Sequence, residues 1–150
     1  MKDQEIQQEL ERALLVGVDT GEEEDFEYSM EELGSLAQAC GMQVAGIITQ
    51  RLSAPNKAFY VGPGKVEEIR EYAGQCQAQV IVFDDALAPS QLRNLQQELD
   101  MPILDRTTLI LDIFAIRAKT REAKLQVETA RLQFLLSRSL VAHGSAAAAL

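Results

Sequence analysis

Histidine, cysteine and long apolar runs are all scarce in this chain, and each scarcity closes off a class of function. The one histidine, His143, lies in the last few residues. A Ser-His-Asp triad needs an imidazole inside the folded part, so it is excluded in practice. Metal binding is poorly supported, with one histidine in the tail and no CxxC pair. The two cysteines, Cys40 and Cys76, form no CxxC pair. They read as reduced, buried thiols rather than as a disulfide frame. The longest apolar runs are Ala13–Val18 and Val80–Phe83, both far too short to span a bilayer. The start, Met1-Lys2-Asp3-Gln4-Glu5, lacks a basic segment leading into an apolar one, so it is no secretion signal. Together these absences predict a cytoplasmic protein with no membrane span.

What is present is an apolar fraction of 47%, enough for a core, in 150 residues, the size of one domain with an appendage. The net charge of −9 is unevenly spread. Residues 1–105 hold 7 Lys/Arg against 20 Asp/Glu, a balance of −13; residues 106–150 hold 7 against 3, or +4. An acidic body with a basic arm suggests two jobs, and the arm is the better candidate for an anionic partner.

The pattern along the body alternates. Residues 12–19 form a nearly continuous apolar run ending in Asp19, as in a strand buried on both faces. After an acidic loop through Glu22-Glu23-Glu24-Asp25, Ser29 with Glu32 reads as a capping box, and Gly41 as the helix stop. Val44–Thr49 is a second strand, Ala58–Val61 a short extended segment, and Val66–Cys76 an amphipathic helix. Ala78–Phe83 is a third buried strand, Pro89 or Ser90 to Leu99 a helix, and Pro102–Leu104 a short strand. This order predicts an α/β fold with a mainly parallel four-stranded sheet flanked by helices over 1–105. Right-handed crossovers would gather Asp19, Asp84, Asp85 and Asp105 on one sheet edge, where such sheets bind ligands.

From Arg106 to Arg138 there is neither Pro nor Gly. That predicts one helix over 106–139, about 45 Å long at about 1.5 Å per residue. A body of this size is only about 25–30 Å across. The helix must then project, with Leu125, Leu132, Leu135 and Leu136 in want of a partner helix, from a further part of the chain or from a second copy. Residues 140–150 form a tail. Its Gly144-Ser145, alanine run and Leu150 look like appended vector sequence, which implies a cut piece of a longer protein.

Few residues suggest chemistry. Gly62-Pro63-Gly64-Lys65 is the one phosphate-loop-like feature, and Gly62, Gly64 and Lys65 are the candidate nucleotide- or phosphate-binding residues. The full G-x-x-x-x-G-K-[ST] signature occurs nowhere; Phe59 stands at the first glycine and Val66 at the hydroxyl that would hold Mg²⁺. A plain turn and helix start is the ordinary alternative. Asp84-Asp85 lacks the converging ligands of a metal site and reads as solvated strand-end acid. Arg117, Arg121 and Lys124 recur at four and three residues, which puts them on one helical face. Such a stripe suits an RNA backbone, and Lys119, Arg131 and Arg138 complete the basic arm. An ordinary solvated helix face, partly offset by Glu122 and Glu128, is the competing reading.

Several stretches taken together resemble the N-terminal domain of the HflX family of translation-factor-class GTPases. They are Tyr60-Val-Gly-Pro-Gly-Lys-Val-Glu-Glu-Ile69, Pro89-Ser-Gln-Leu-Arg-Asn-Leu95 and Leu104-Asp-Arg-Thr-Thr-Leu-Ile-Leu-Asp-Ile-Phe-Ala115. Arg117-Ala118 and Thr120-Arg-Glu-Ala-Lys-Leu-Gln-Val127 continue the last of them. The resemblance covers about 12–138. It implies an α/β subdomain, then a helical hairpin, then a GTPase domain. It also implies a factor that binds large-subunit rRNA and splits or rescues stalled ribosomes under stress. Nucleotide binding, including ATP, is attributed to this region in some members. The hairpin's Gly-rich loop, its returning helix and the GTPase domain are not among these residues. GTP and Mg²⁺ belong to that GTPase domain, no cofactor is expected in this piece, and GTP hydrolysis is not assigned to it. Arg117, Arg121, Lys124 and Arg131 are the candidate RNA-binding residues, and the family's GTPase domain is a further expected partner.

Overall fold

The computed structural model describes residues 10–22 and 24–148, with side chains as far as Arg138. The N-terminal lead-in, Glu23, the side chain of His143 and the last two residues lie outside the described residues. Four strands, β1 (Glu11–Asp19), β2 (Met42–Arg51), β3 (Val80–Phe83) and β4 (Ile103–Asp105), pair in the order β2-β1-β3-β4, all parallel. The expected α/β class and four-stranded parallel sheet are borne out. β1 owes its central place to its composition: Ala13 to Val18 is apolar or glycine throughout and buried on both faces.

Five helices flank and follow the sheet: α1 (Phe26–Ala39), α2 (Pro63–Gln75), α3 (Pro89–Leu99), α4 (Arg106–Arg117) and α5 (Arg121–Ala148). The two faces bury separate cores. Leu14, Val16, Ile81 and Phe83 meet Val66 and Ile69 of α2 and Leu95 and Leu99 of α3. Ala13, Leu15, Val80 and Val82 meet Met30, Leu33 and Ala37 of α1 and Leu109 of α4. Two glycines permit the close approach. A Cβ on Gly17 would stand 2.5 Å from Met30 Sδ, and one on Gly46 would stand 2.5 Å from a Tyr72 ring carbon.

Three details differ from the sequence reading. First, α1 begins at Phe26 because Asp25 caps it, accepting from the Tyr28 amide at 2.9 Å. Ser29 and Glu32 serve elsewhere: both bond Arg106, at 2.9 and 2.7 Å. Second, 58–61 is not a strand but a turn closed by the Asn56–Tyr60 bridge, with Tyr60 at φ 65°. Third, the single projecting helix is two helices. Ala118 turns extended (ψ 118°), and Thr120 Oγ1 accepts from the Ala123 amide to start α5 afresh. α5 then doubles back along α4. Arg131 pairs with Asp112 at 3.3 Å, and Arg138 reaches Asp105 and the Leu87 carbonyl. Carboxylates far back in the sequence thus hold the second helix against the body. α5 also runs through Ala148, past the expected end at Ser139.

Candidate functional site

All the strands point one way, so their C-terminal ends share an edge, and the expected acids do gather there. Asp19 ends β1, Asp84 follows β3 and Asp105 ends β4. Each is already engaged in holding the fold. Asp19 caps a turn at Gly21, and Asp85 accepts from the Ala86 amide. Asp105, fully buried, takes the Leu87 and Thr108 amides, the Thr108 hydroxyl and Arg138.

Asp84 stands where the sheet's topology switches, between β1, whose connection leaves toward one face, and β3, whose connection leaves toward the other. Its carboxylate accepts from Tyr60 Oη at 2.7 Å and the Val18 amide at 3.3 Å. Burial pushes its pKa up to about 6, against the pull of those two donors. Arg106 donates to the Asp84 carbonyl at 2.7 Å and ties it to α1. Polar groups in this crevice are therefore largely taken up by one another. Tyr60 is held there at a backbone conformation that bulky residues rarely adopt. Sequence reasoning missed this cluster, because Tyr60 and Arg106 reach Asp84 only through tertiary contacts.

Gly62, Gly64 and Lys65 form the first turn of α2, with Gly62 as its cap and Pro63 following. The Gly62 amide is occupied by Gln50 Oε1 at 2.8 Å, and Lys65 Nζ is paired with Glu68 at 2.9 Å. Pro63 supplies no donor. One occupied amide, one proline and a neutralised lysine are a poor fit for a nucleotide phosphate, and with Val66 in place of a hydroxyl they do not fit GTP–Mg²⁺. Glu68, three residues past the lysine, was the signal available in the sequence.

The basic residues divide. Arg131 is partnered by Asp112 and Glu128. Arg117, Lys119, Arg121 and Lys124 are exposed and form no ion pair among the described residues. Because the helix breaks after Arg117, they surround the α4–α5 turn rather than lining one helical face. That turn lies toward the N-terminal ends of the strands, since Ala115 and Ile116 share a groove with Glu11 and Met42. At the other end, a cleft of about 810 Å³ opens between the last residues of β2 and the first turns of α1. Among the described residues no helix is long and apolar enough to cross a membrane, and no cluster of three metal-ligating side chains occurs.

The family described as GTP-binding GTPase N-terminal matches residues 27–115. The chain belongs to this family. Curated relatives called GTPase HflX carry the match beyond those bounds. One from Alkalihalophilus pseudofirmus is 47% identical over 133 residues, 88% of this chain and 31% of its own length. One from Escherichia coli is 43% identical over 128 residues, 85% of this chain and 30% of its own. The chain thus spans about a third of the relatives it matches. Among solved structures, a GTP-binding protein from Sulfolobus solfataricus in complex with GDP superposes with a TM-score of 0.68. It is 26% identical, over 90% of this chain and 40% of that one. The matched segment is thus the N-terminal family of proteins that are themselves named GTPases.

Proposed function

We propose that this chain is the ribosome-contacting and regulatory N-terminal module of an HflX-type GTPase, acting in the cytoplasm on large-subunit rRNA. The observation that carries this is the exposed, unpaired set Arg117, Lys119, Arg121 and Lys124 on an otherwise acidic protein. Four cations around the connection between α4 and α5 suit a phosphate backbone, and the release of condensed counterions would drive binding. The α/β body presents that turn. The full-length protein would use this contact in splitting or rescuing ribosomes, with GTP and Mg²⁺ handled by its GTPase domain. A nucleotide site at Gly62–Lys65 has less behind it, given the Lys65–Glu68 pair.

The test is co-sedimentation of this chain with purified large subunits across a salt series. Binding should fall steeply with salt. Changing Arg117, Arg121 and Lys124 together to Glu should abolish it at moderate salt and flatten the log–log salt slope by about 2–3. Unchanged affinity and slope in that variant would refute the assigned surface.

A further inference from the structure

β2 lies at the edge of the sheet: β1 pairs with it on one side and no strand pairs with it on the other among the described residues. Such an edge presents a row of backbone donors and acceptors, and proteins usually blunt it with a proline, a lysine or a covering element. Here the blunting is partial. Ala45 is an extra residue in the pairing with β1, a bulge that disturbs the middle of the strand. Beyond it, Gly46-Ile-Ile-Thr-Gln-Arg51 carries neither proline nor lysine, and Ile47 is half exposed.

The 810 Å³ cleft runs along this free segment. Its lining includes Ile47, Thr49 and Arg51 of β2 and Phe26 and Met30 of α1. Five carboxylates, Asp19, Glu24, Asp25, Glu27 and Glu31, face it against the single guanidinium of Arg51. Asp19 and Asp25 already cap turns, but Glu27 and Glu31, one helical turn apart, are exposed along α1. The exposed cations around the α4–α5 turn lie toward the opposite end of the strands, and Arg51 is the one basic side chain in the lining.

We propose that the β2 edge and this cleft together bind a basic, extended peptide segment that adds to the sheet as a fifth strand. Main-chain bonds to 46–51 would give affinity. The side chains on its α1-facing side would choose the sequence, their cationic heads toward Glu27 and Glu31 and their alkyl stems over Phe26, Met30 and Ile47. The charge of the lining selects a basic protein segment over a nucleic acid. This surface is independent of the rRNA contact proposed above.

The test uses ¹⁵N-labelled protein and a blocked nonapeptide alternating lysine and valine. Two control peptides accompany it. One replaces lysine by glutamate; the other is N-methylated at two adjacent central residues, so that neither of its edges can pair. The lysine–valine peptide should shift the amides of 46–51 and of the first turns of α1, and should slow hydrogen exchange in β2. Both control peptides should fail to bind. The double variant Glu27→Lys, Glu31→Lys should weaken binding about tenfold or more, as charge reversal of two contacting groups implies. Equal binding of the N-methylated peptide would reduce the effect to charge alone and overturn strand addition. Shifts confined to other surfaces, or no binding at millimolar peptide, would overturn the site. Concentration-dependent shifts of 46–51 without any peptide would assign the edge to a second copy of the chain instead. Should the double variant fail to fold, the three peptides on the unaltered protein still decide the matter.

Discussion

Arg138→Ala should release the second half of α5 from the body while leaving the sheet intact. The Arg138 side chain is only 14% exposed, and its partner Asp105 is fully buried. Its guanidinium also bonds the Leu87 carbonyl at 3.2 Å and lies 4.0 Å over the Phe134 ring. Losing one partner of a buried ion pair costs about 3–5 kcal/mol when the other is stranded. Asp105 is not stranded, because three protein donors remain at 2.9–3.0 Å. The loss is then nearer that of one charge-assisted hydrogen bond, about 1.5–3 kcal/mol. The ring contact adds about 0.5–1 kcal/mol. At about 1.36 kcal/mol per decade, a total near 2–4 kcal/mol raises the opening equilibrium of α5 about 30- to 900-fold. Hydrogen exchange of the amides at 131–138 reads this directly. The sheet amides of β1 and β3, which open only with the whole fold, should lose protection by no more than that factor. Arg131→Ala is the control: that pair is more than a third exposed on its arginine side and should contribute about 1 kcal/mol or less. Unchanged protection at 131–138 together with an unchanged urea midpoint in Arg138→Ala would refute the fold-back as a latched contact.

Asp84 gives a pH dependence whose sign is fixed by its raised pKa, about 6 against the ordinary 3.8. Between those values the native state holds more protons than the unfolded chain, so stability should fall as pH rises from about 4 to 6 and then level off. The full amplitude is about 3 kcal/mol; an Asp84→Asn variant should flatten the curve, and an unflattened one would locate the titration elsewhere. Tyr60→Phe removes the hydroxyl that favours the Asp84 carboxylate. It should push that pKa higher still, measurable by carboxyl ¹³C NMR, and destabilise the protein by about 1–3 kcal/mol at neutral pH. Asp100 ends α3 in the left-handed conformation at φ 49°. Asp100→Gly should therefore raise stability by about 0.5–1 kcal/mol in urea melts, and a loss would show that its side chain has a role the backbone geometry does not reveal.

Much of the body was legible in the sequence because its signals are local. The apolar run at 13–18 and the alternation of short apolar runs with helical spacing depend on neighbouring residues, and they produced the strands and their parallel class. What failed depended on distant partners. Asp25 and Ser29 are both acceptable caps, and only the reach of Arg106 to Ser29 and Glu32 decides between them. The break at Ala118 carries neither glycine nor proline, and Thr120 is its one local mark. The fold-back that follows is paid for by Asp105 and Asp112, which no spacing rule connects to Arg138 and Arg131. The basic residues were read on a continuous helical face that the break at Ala118 removes, and Arg131 and Arg138 turn out to pair with carboxylates of the body instead. The β2 cleft was invisible, because an edge position follows from strand order rather than from strand composition.

That strand order carries a consequence for how the chain is made. β1 needs neighbours on both sides, yet it leaves the synthetic machinery before either of them. β2 ends at Arg51 and β3 at Phe83. At about 5–20 residues per second, the stretch from Asp19 to Phe83 takes about 3–13 s to emerge. For that interval the most apolar segment of the protein is shielded on one side at best. The wait is long compared with the microseconds in which short chains collapse. The nascent chain is thus at its stickiest early, and any chaperone that attends it has its best target at Ala13 to Val18.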